Sequence, residues 1–346
     1  MKLGLNLGYS GKRIELPMDF IHHAEKLGFD SVWTAEAYGS DAVTVASWIL
    51  AQTQKIRVGT AIMQIPARTP AMAAMTAMSL SQLSHNRFIM GLGASGPQVV
   101  EGWHGQPYGK ALTRTREYIE IIRQIFARKE AVSFNGEVYQ IPFKGVDSVG
   151  LGKPLKSILE ANTSIPIYSA SITAGGVRTA AELCDGFFPV WMDPEQFHVF
   201  EKSINEGFAK AGNGKSLSQF DVAPFITAIM DDNLDNCRLP IKQHMALYIG
   251  GMGARGKNFY NDYAIALGYA DAAKTIQDLY LDGKKDEAAN AVPNELVDAV
   301  ALVGPKAHIR EQLSRWKAAG LKKHVTSMII GTFQKEVLEL LAEELL

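Results

Sequence analysis

Strand-like and helix-like segments alternate along this chain with short connections, and that alternation is its tightest constraint on folding. Lys2–Gly8 reads as a strand. Asp19–Leu27 reads as an amphipathic helix, with Phe20, Ile21, Ala24 and Leu27 at helical spacing and Gly28 closing it. Strands follow at Ser31–Ala35, Ile56–Gln64 and Arg87–Leu92, separated by helices at Val43–Gln52 and Pro70–Leu83. Such a rhythm calls for parallel strands with helical crossovers.

The rhythm loosens after the fourth strand. Leu112–Ala127 is a long helix. Ala131–Ile141 carries Asn135-Gly136 between β-prone flanks, a hairpin signal. Pro142–Ser164 is rich in Gly, Pro, Lys and Ser and reads as a long loop of the kind that usually serves function or is disordered. Alternation resumes with a strand at Pro166–Ser169, a helix at Ala174–Leu183, a short strand at Gly186–Pro189, a helix at Pro194–Lys210 and a strand at Asp221–Met230. Asp235–Ala299 is mostly helical and longer than one crossover needs. Val325–Ile330 is a last strand and Gln334–Leu346 a closing helix. The strand count is about eight, the number of a (β/α)8 TIM barrel. The expectation is an α/β fold of one domain over residues 1–346, with insertions near 130–165 and 235–300; an open doubly wound sheet is the second reading.

Composition removes several classes of function. Lys plus Arg is 35 and Asp plus Glu is 36, a formal charge of -1, so no basic surface invites nucleic acid and no polybasic segment invites a membrane. Met1–Leu7 lacks the features of a secretory leader, and no apolar run reaches the roughly 18 residues a spanning helix needs. Cys184 and Cys237 are too few and too far apart for a disulfide framework or a zinc pattern. A cytoplasmic location is the simplest expectation. The histidines have no metal-ligand spacing, since His22 and His23 are adjacent. No metal is expected.

Gly91-Leu-Gly93-Ala-Ser-Gly96 matches the dinucleotide fingerprint letter for letter, but it follows the fourth strand rather than the first. Gly102, Gly105, Pro107 and Gly109 then break any helix before Leu112. A strand-end loop of bare amides or a tight turn suits the context better. Gly175-Gly176, with Ser169, Ser171 and Thr173 beside it, opens a helix and can form a phosphate cradle. Glu36 ends the second strand, where a carboxylate faces a barrel mouth or caps the next helix. The third strand runs through Ala61-Ile62-Met63-Gln64 into a loop with Arg68. Met72, Met75 and Met78 pack either on the barrel or across a subunit interface. Cys184 reads as core.

Long stretches carry a resemblance far more specific than any of these motifs. "AEKLGFDSVWTAEAYGSD", "IRVGTAIMQIPARTPAMAAMTAMSLSQLS", "NRFIMGLGASGPQVVEGWHG" and "AAELCDGFFP" resemble, nearly end to end, the bacterial-luciferase-like flavin and deazaflavin oxidoreductases. "ALYIGGMGARGKNFYND" and "DEAANAVPNELVDAVALVGP" resemble the narrower branch that uses coenzyme F420. The resemblance implies a luciferase-like (β/α)8 barrel with insertions, commonly a homodimer, with the cofactor at the C-terminal ends of the strands. It implies a non-prolyl cis peptide at Ala61–Ile62, with Met63 in the same bulge, and a mouth carboxylate at Glu36. It implies cofactor contacts from Gly93, Ser95 and Gly96 after the fourth strand, and a phosphate cradle at Ser169, Ser171, Gly175 and Gly176. Two family features are missing. The histidine several deazaflavin members place just after the carboxylate is Ala37 here, and the position of the glutamate that some sugar-phosphate oxidisers place in the fourth-strand loop is Gly96.

The reading that follows is an F420-dependent oxidoreductase moving a hydride between C5 of the deazaflavin and an organic small molecule. Glu36, Tyr38 and His104 are the candidate catalytic groups, with Tyr108 a further one, and Trp103, His104 and Pro142–Ser164 would wall the pocket. Arg68 and Arg178 are the cations expected to meet the acidic F420 tail. An FMN-dependent monooxygenase and a non-catalytic flavin- or deazaflavin-binding protein are the alternatives. A homodimer built on the early helices, including Pro70–Leu83, is expected.

Overall fold

The computed structural model describes residues 1–346. Its eight principal strands are β1 (Lys2–Gly8), β2 (Ser31–Thr34), β3 (Arg57–Thr60), β4 (Phe88–Gly93), β5 (Ile167–Ala170), β6 (Gly186–Phe188), β7 in two halves (Asp221–Val222 and Phe225–Ile229) and β8 (Ser327–Gly331). All pair in parallel. Gly4 faces Ser31, Ser31 faces Arg57, Val58 faces Phe88, Met90 faces Ile167 and Tyr168 faces Gly186. The first half of β7 pairs with β6 and the second with β8, which in turn pairs with β1 through Lys2 and Ser327. The sheet therefore closes, and the open doubly wound alternative falls.

The break in β7 sits at Ala223-Pro224. A proline has no amide to donate, so it interrupts a central strand. Its carbonyl still accepts from the Ile329 amide at 3.0 Å, which keeps the second half in register with β8. The expected strand Ile56–Gln64 is likewise divided into β3 and a two-residue bridge, Met63–Gln64, pairing with Leu92–Gly93. The peptide between them, Ala61–Ile62, is cis, as the resemblance implied.

The inside of the barrel is aromatic. Trp33, Ile89, Tyr168, Phe188, Ala223 and Ile329 form one buried cluster, with Trp33 edge-on to Phe188 at 5.1 Å between centroids. Rings this large fit because the strands beside them lack side chains. A Cβ on Gly59 would overlap the Trp33 ring, and one on Gly186 would stand 2.9 Å from Tyr168. A Cβ on Gly91 would overlap the Thr60 carbonyl, and one on Gly93 would come within 2.7 Å of Ile62. The letter match to a dinucleotide fingerprint thus arises from packing inside a barrel.

Helices α1 (Met18–Leu27), α2 (Ala42–Gln52) and α3 (Pro70–Leu83) cover the first strands. Asp41 caps α2 by accepting from the Val43 and Thr44 amides, and Thr69 caps α3 with Pro70 in its first turn. A short helix, α4 (Pro97–Gly102), starts at Pro97 where the glycines and prolines downstream had argued against one; α5 (Ala111–Ala127) follows. The expected hairpin pairs Phe134–Asn135 with Gln140–Ile141. Its turn does not depend on an Asn-Gly conformation. Glu117 of α5 accepts from the Glu137, Val138 and Tyr139 amides at 2.6, 2.9 and 2.9 Å, and Gly136 leaves room for that carboxylate.

Helices α6 (Ala174–Leu183) and α7 (His198–Ala211) follow β5 and β6. The α7 helix begins four residues later than Pro194, because Asp193 holds a turn by accepting from the Glu195 amide at 2.9 Å and the Gln196 side chain at 3.0 Å. Between β7 and β8 lie α8 (Leu234–Ala246), α9 (Phe259–Ala266), α10 (Ala270–Leu281), α11 (Lys285–Asn290), α12 (Asn294–Val300) and α13 (Lys306–Leu321), and α14 (Lys335–Leu345) ends the chain. No helix is long and apolar enough to cross a membrane.

Candidate functional site

The C-terminal ends of β2, β3 and β4 are joined by one polar network. The Glu36 side chain is 8% exposed and all its acceptor positions are used. Oε1 accepts from the Gln64 amide at 2.7 Å and Arg68 Nη1 at 2.6 Å; Oε2 accepts from the Ala42 amide and Arg68 Nη2, each at 3.0 Å. Arg68 also pairs with Asp41. Burial alone would lower the Arg68 pKa, but Glu36 and Asp41 raise it, so the guanidinium stays charged. The carboxylate and the arginine fasten the start of α2 to the end of the third strand. Glu36 has no lone pair left for a ring or a substrate, and Arg68 does not stand free for an acidic tail. In this structure both groups are engaged with each other and with the start of α2.

Gln64 carries the network onward. Its side-chain nitrogen donates to the Glu36 and Ala37 carbonyls, each at 3.3 Å. That orientation turns Oε1 to His104 Nε2, 2.5 Å away. An amide oxygen only accepts, so His104 Nε2 carries the proton and Nδ1 keeps its lone pair in the neutral ring. His104 is thus joined to Glu36 through Gln64. In the sequence Gln64 stands only as the last residue of the third strand; a polar side chain entering a barrel mouth is the signal that points to it.

The lip after β4 and β5 is built of small residues. Ser95 has a left-handed backbone, φ 61°, and Gly96 opens α4. Ser169 is buried in β5, and Ser171 and Thr173 follow it. Thr173 accepts from the Gly176 amide at 3.3 Å, while the Ala174 and Gly175 amides in the first turn of α6 have no acceptor in the protein. A Cβ on Gly176 would overlap Ser171 Oγ. Gly176 therefore contributes space, and Ala174 and Gly175 contribute the open donors. Arg178 pairs with Glu206 of α7 at 2.6 Å, with both side chains half-exposed.

Tyr38 is 65% exposed, on the rim, and Trp103 is exposed beside His104. Tyr108 contributes its backbone, its amide donating to Glu101 and its carbonyl accepting from Arg114. Beyond β6, Trp191 has φ 45°, a conformation that costs a bulky residue about 1–3 kcal/mol and persists where its surroundings hold it. Its carbonyl accepts from the Tyr263 hydroxyl at 3.2 Å. Trp191 meets Tyr248 and Tyr260 of the insertion, residues with no periodic pattern to mark them in the sequence. Cys184 is fully buried, and burial pushes its thiol up to about 12, which fits a core residue.

Comparisons with known proteins agree with this architecture. Residues 3–323 match the family described as luciferase-like monooxygenase. A Mycobacterium tuberculosis protein, provisionally named a coenzyme F420-dependent oxidoreductase, is 42% identical over 332 residues, covering 95% of this chain and 94% of the relative. The 5,10-methylenetetrahydromethanopterin reductase of Archaeoglobus fulgidus is 28% identical, covering 100% of this chain and 99% of its own. Among solved structures, the coenzyme F420 dependent tetrahydromethanopterin reductase of Methanopyrus kandleri superposes with a TM-score of 0.77 at 22% identity, covering 99% and 97% of the two chains, a likeness of fold. With a barrel closed through β1 and β8 and a family match over nearly its whole length, this chain belongs to the luciferase-like monooxygenase family.

Proposed function

We propose that this protein is a coenzyme F420-dependent oxidoreductase that moves a hydride between C5 of the deazaflavin and an organic small molecule. The observation that carries this reading is the near full-length likeness, at 42% identity, to the M. tuberculosis protein named for that activity. Two features of the chain fit such a cofactor. The Ala174 and Gly175 amides stand open at a helix start beside Ser171, where a phosphate is well held. The loop after β4, Ala94-Ser95-Gly96, carries only small, half-buried residues, so a flat ring can approach its backbone.

In this reading Ala61, Ile62, Met63, Gly93, Ser95 and Gly96 face the ring system, and Ser169, Ser171, Gly175 and Gly176 surround the phosphate. When bound, the deazaflavin supplies the hydride donor or acceptor. The protein supplies orientation and proton handling. His104 Nδ1 is the group offered for the proton that accompanies the hydride, with Gln64 fixing the tautomer and Glu36 holding Gln64. Glu36 is a positioning residue, and Tyr38 belongs to the rim.

The expected homodimer uses α2 and α3. Neither helix contains a single Asp, Glu, Lys or Arg, and Trp48, Met72, Met75 and Leu83 are exposed on them. A second copy laid on this uncharged face would bury it. Light scattering at micromolar concentration should report twice the mass of one chain; a monomer would remove this part.

Fluorescence titration of the apo-protein with F420 and with FMN tests the main reading. F420 should bind more tightly, and Gly176→Val should weaken it at least a hundredfold with circular dichroism unchanged. Ser171→Ala keeps the space and should cost only a few-fold. Tighter FMN binding, with oxygen consumed by the reduced form, would replace this reading with the monooxygenase; F420 binding without turnover would leave a binding protein.

A further inference from the structure

Four aromatic rings gather where β6 leaves the barrel. Trp191 lies 5.6 Å from Tyr260, 6.0 Å from Tyr248 and 6.2 Å from His244, centroid to centroid. Tyr248 stands 4.5 Å from His244 and 4.8 Å from Tyr260. Their elements are unrelated in sequence: a strand exit, the end of α8, the π-helical turn Leu247–Gly251 and the start of α9. A π-helical turn widens a helix locally and often marks a functional site. Tyr9 and Tyr38 are both exposed, on the loops after β1 and β2.

The cluster differs from ordinary core. Tyr263, one turn from Tyr260, is 4% exposed and its hydroxyl is bonded to the Trp191 carbonyl. The Tyr248 and Tyr260 hydroxyls and Trp191 Nε1 have no hydrogen-bond partner in the protein, yet none is sealed from solvent. They are donors on a wall in which Trp191 is buried, Tyr248 and Tyr260 are half-buried and His244 is exposed. The wall is also uncharged. Burial raises the Tyr248 phenol and pushes Tyr260 up to about 12, and it lowers the His244 imidazole, which keeps an exposed edge. No carboxylate or cation pairs with any of the rings.

We propose that Trp191, His244, Tyr248 and Tyr260 form the substrate subsite, selecting a neutral, planar, conjugated molecule with a carbonyl or ring-nitrogen acceptor. The proposal rests on the oxidoreductase reading above. Flat faces stack on the rings, and the unspent Tyr and Trp donors meet the acceptor. A sugar phosphate would find no cation on this wall to balance its charge.

Menadione, a neutral planar quinone, and glucose 6-phosphate serve as probes in calorimetric titrations of F420-loaded and of apo-protein. Menadione should bind the loaded protein in the micromolar range and glucose 6-phosphate should not. Tyr248→Ala and Trp191→Leu should each weaken menadione at least tenfold and leave F420 affinity within twofold. Tyr248→Phe keeps the ring, so it should cost no more than about threefold and guards against a folding artefact. Menadione binding that is absent, or indifferent to Tyr248→Ala in a folded protein, overturns the subsite, as does tight binding of glucose 6-phosphate. Failure of F420 itself to bind overturns the oxidoreductase reading instead, and menadione titration of the apo-protein then judges the wall alone.

Discussion

Two buried carboxylates stand at opposite ends of the barrel, and they are used differently. Asp221, at the N-terminal end, accepts from the Tyr168 hydroxyl at 2.6 Å, from Ser327 at 2.8 Å to each oxygen, from Thr326 and from Lys2 at 3.3 Å. These partners come from β1, β5 and the start of β8, and the chain of contacts ends with them. Burial would raise the Asp221 pKa, but Lys2 and the hydroxyl donors overcome it and hold it below the ordinary carboxylate value. Glu36, at the C-terminal end, is as fully bonded, but its network continues through Gln64 to a histidine ring nitrogen. One carboxylate closes the barrel; the other aims something at its mouth. Saturation of a buried acid alone does not separate a structural site from a functional one. What separates them is whether a partner leads onward to an unspent group.

The sharpest way to break this comparison is Arg68→Met, which leaves Glu36 buried with its charge uncompensated. Stability should fall by about 3 kcal/mol, read in urea unfolding, and F420 affinity should fall with it because Gln64 loosens. Unchanged binding would detach the network from the site. Gly59→Ala strikes the middle of the barrel, where the new methyl meets Trp33, and should cost about 1–3 kcal/mol with the unfolding transition still single. Asp221→Asn should cost about 1–2 kcal/mol and leave F420 affinity alone. Because the folded pKa of Asp221 is depressed, its contribution is present above the unfolded value of about 3.9 and is lost as pH falls through the folded value. The gap between wild type and Asp221→Asn should therefore close on acidification below roughly pH 4. Arg178→Ala removes a half-exposed pair with Glu206 and should change stability by less than about 0.5 kcal/mol. It should also leave the preference for F420 over FMN intact; a lost preference would return Arg178 to the site.

The barrel was legible because β1 to β6 follow one another in sequence with local helices between them, so local pattern and global order coincide. Closure was less so. It depends on β7 being divided at Pro224, which a run of β-prone residues conceals. At the mouth, residue types and strand ends were readable: Glu36, Gly93 and Ser171 lie at C-terminal strand ends or just after them, and Gly176 lies in the first turn of the helix that follows. Their partners were not. Arg68 lies 32 residues from Glu36 and His104 lies 40 from Gln64, and no local spacing links such pairs. The aromatic wall is harder still, since Trp191 meets residues more than 50 positions away in a segment legible only as helical.

The fit between Trp33 and the bare strand at Gly59 also makes the two positions answerable to each other in heredity. A methyl at 59 is harmful while an indole occupies 33, and tolerable once 33 holds a smaller side chain such as leucine. Each change alone is a step downhill in fitness, one by crowding and the other by leaving a hollow. Lineages that retain the indole are therefore held to glycine at 59, and variants that lose one should be found to have lost the other.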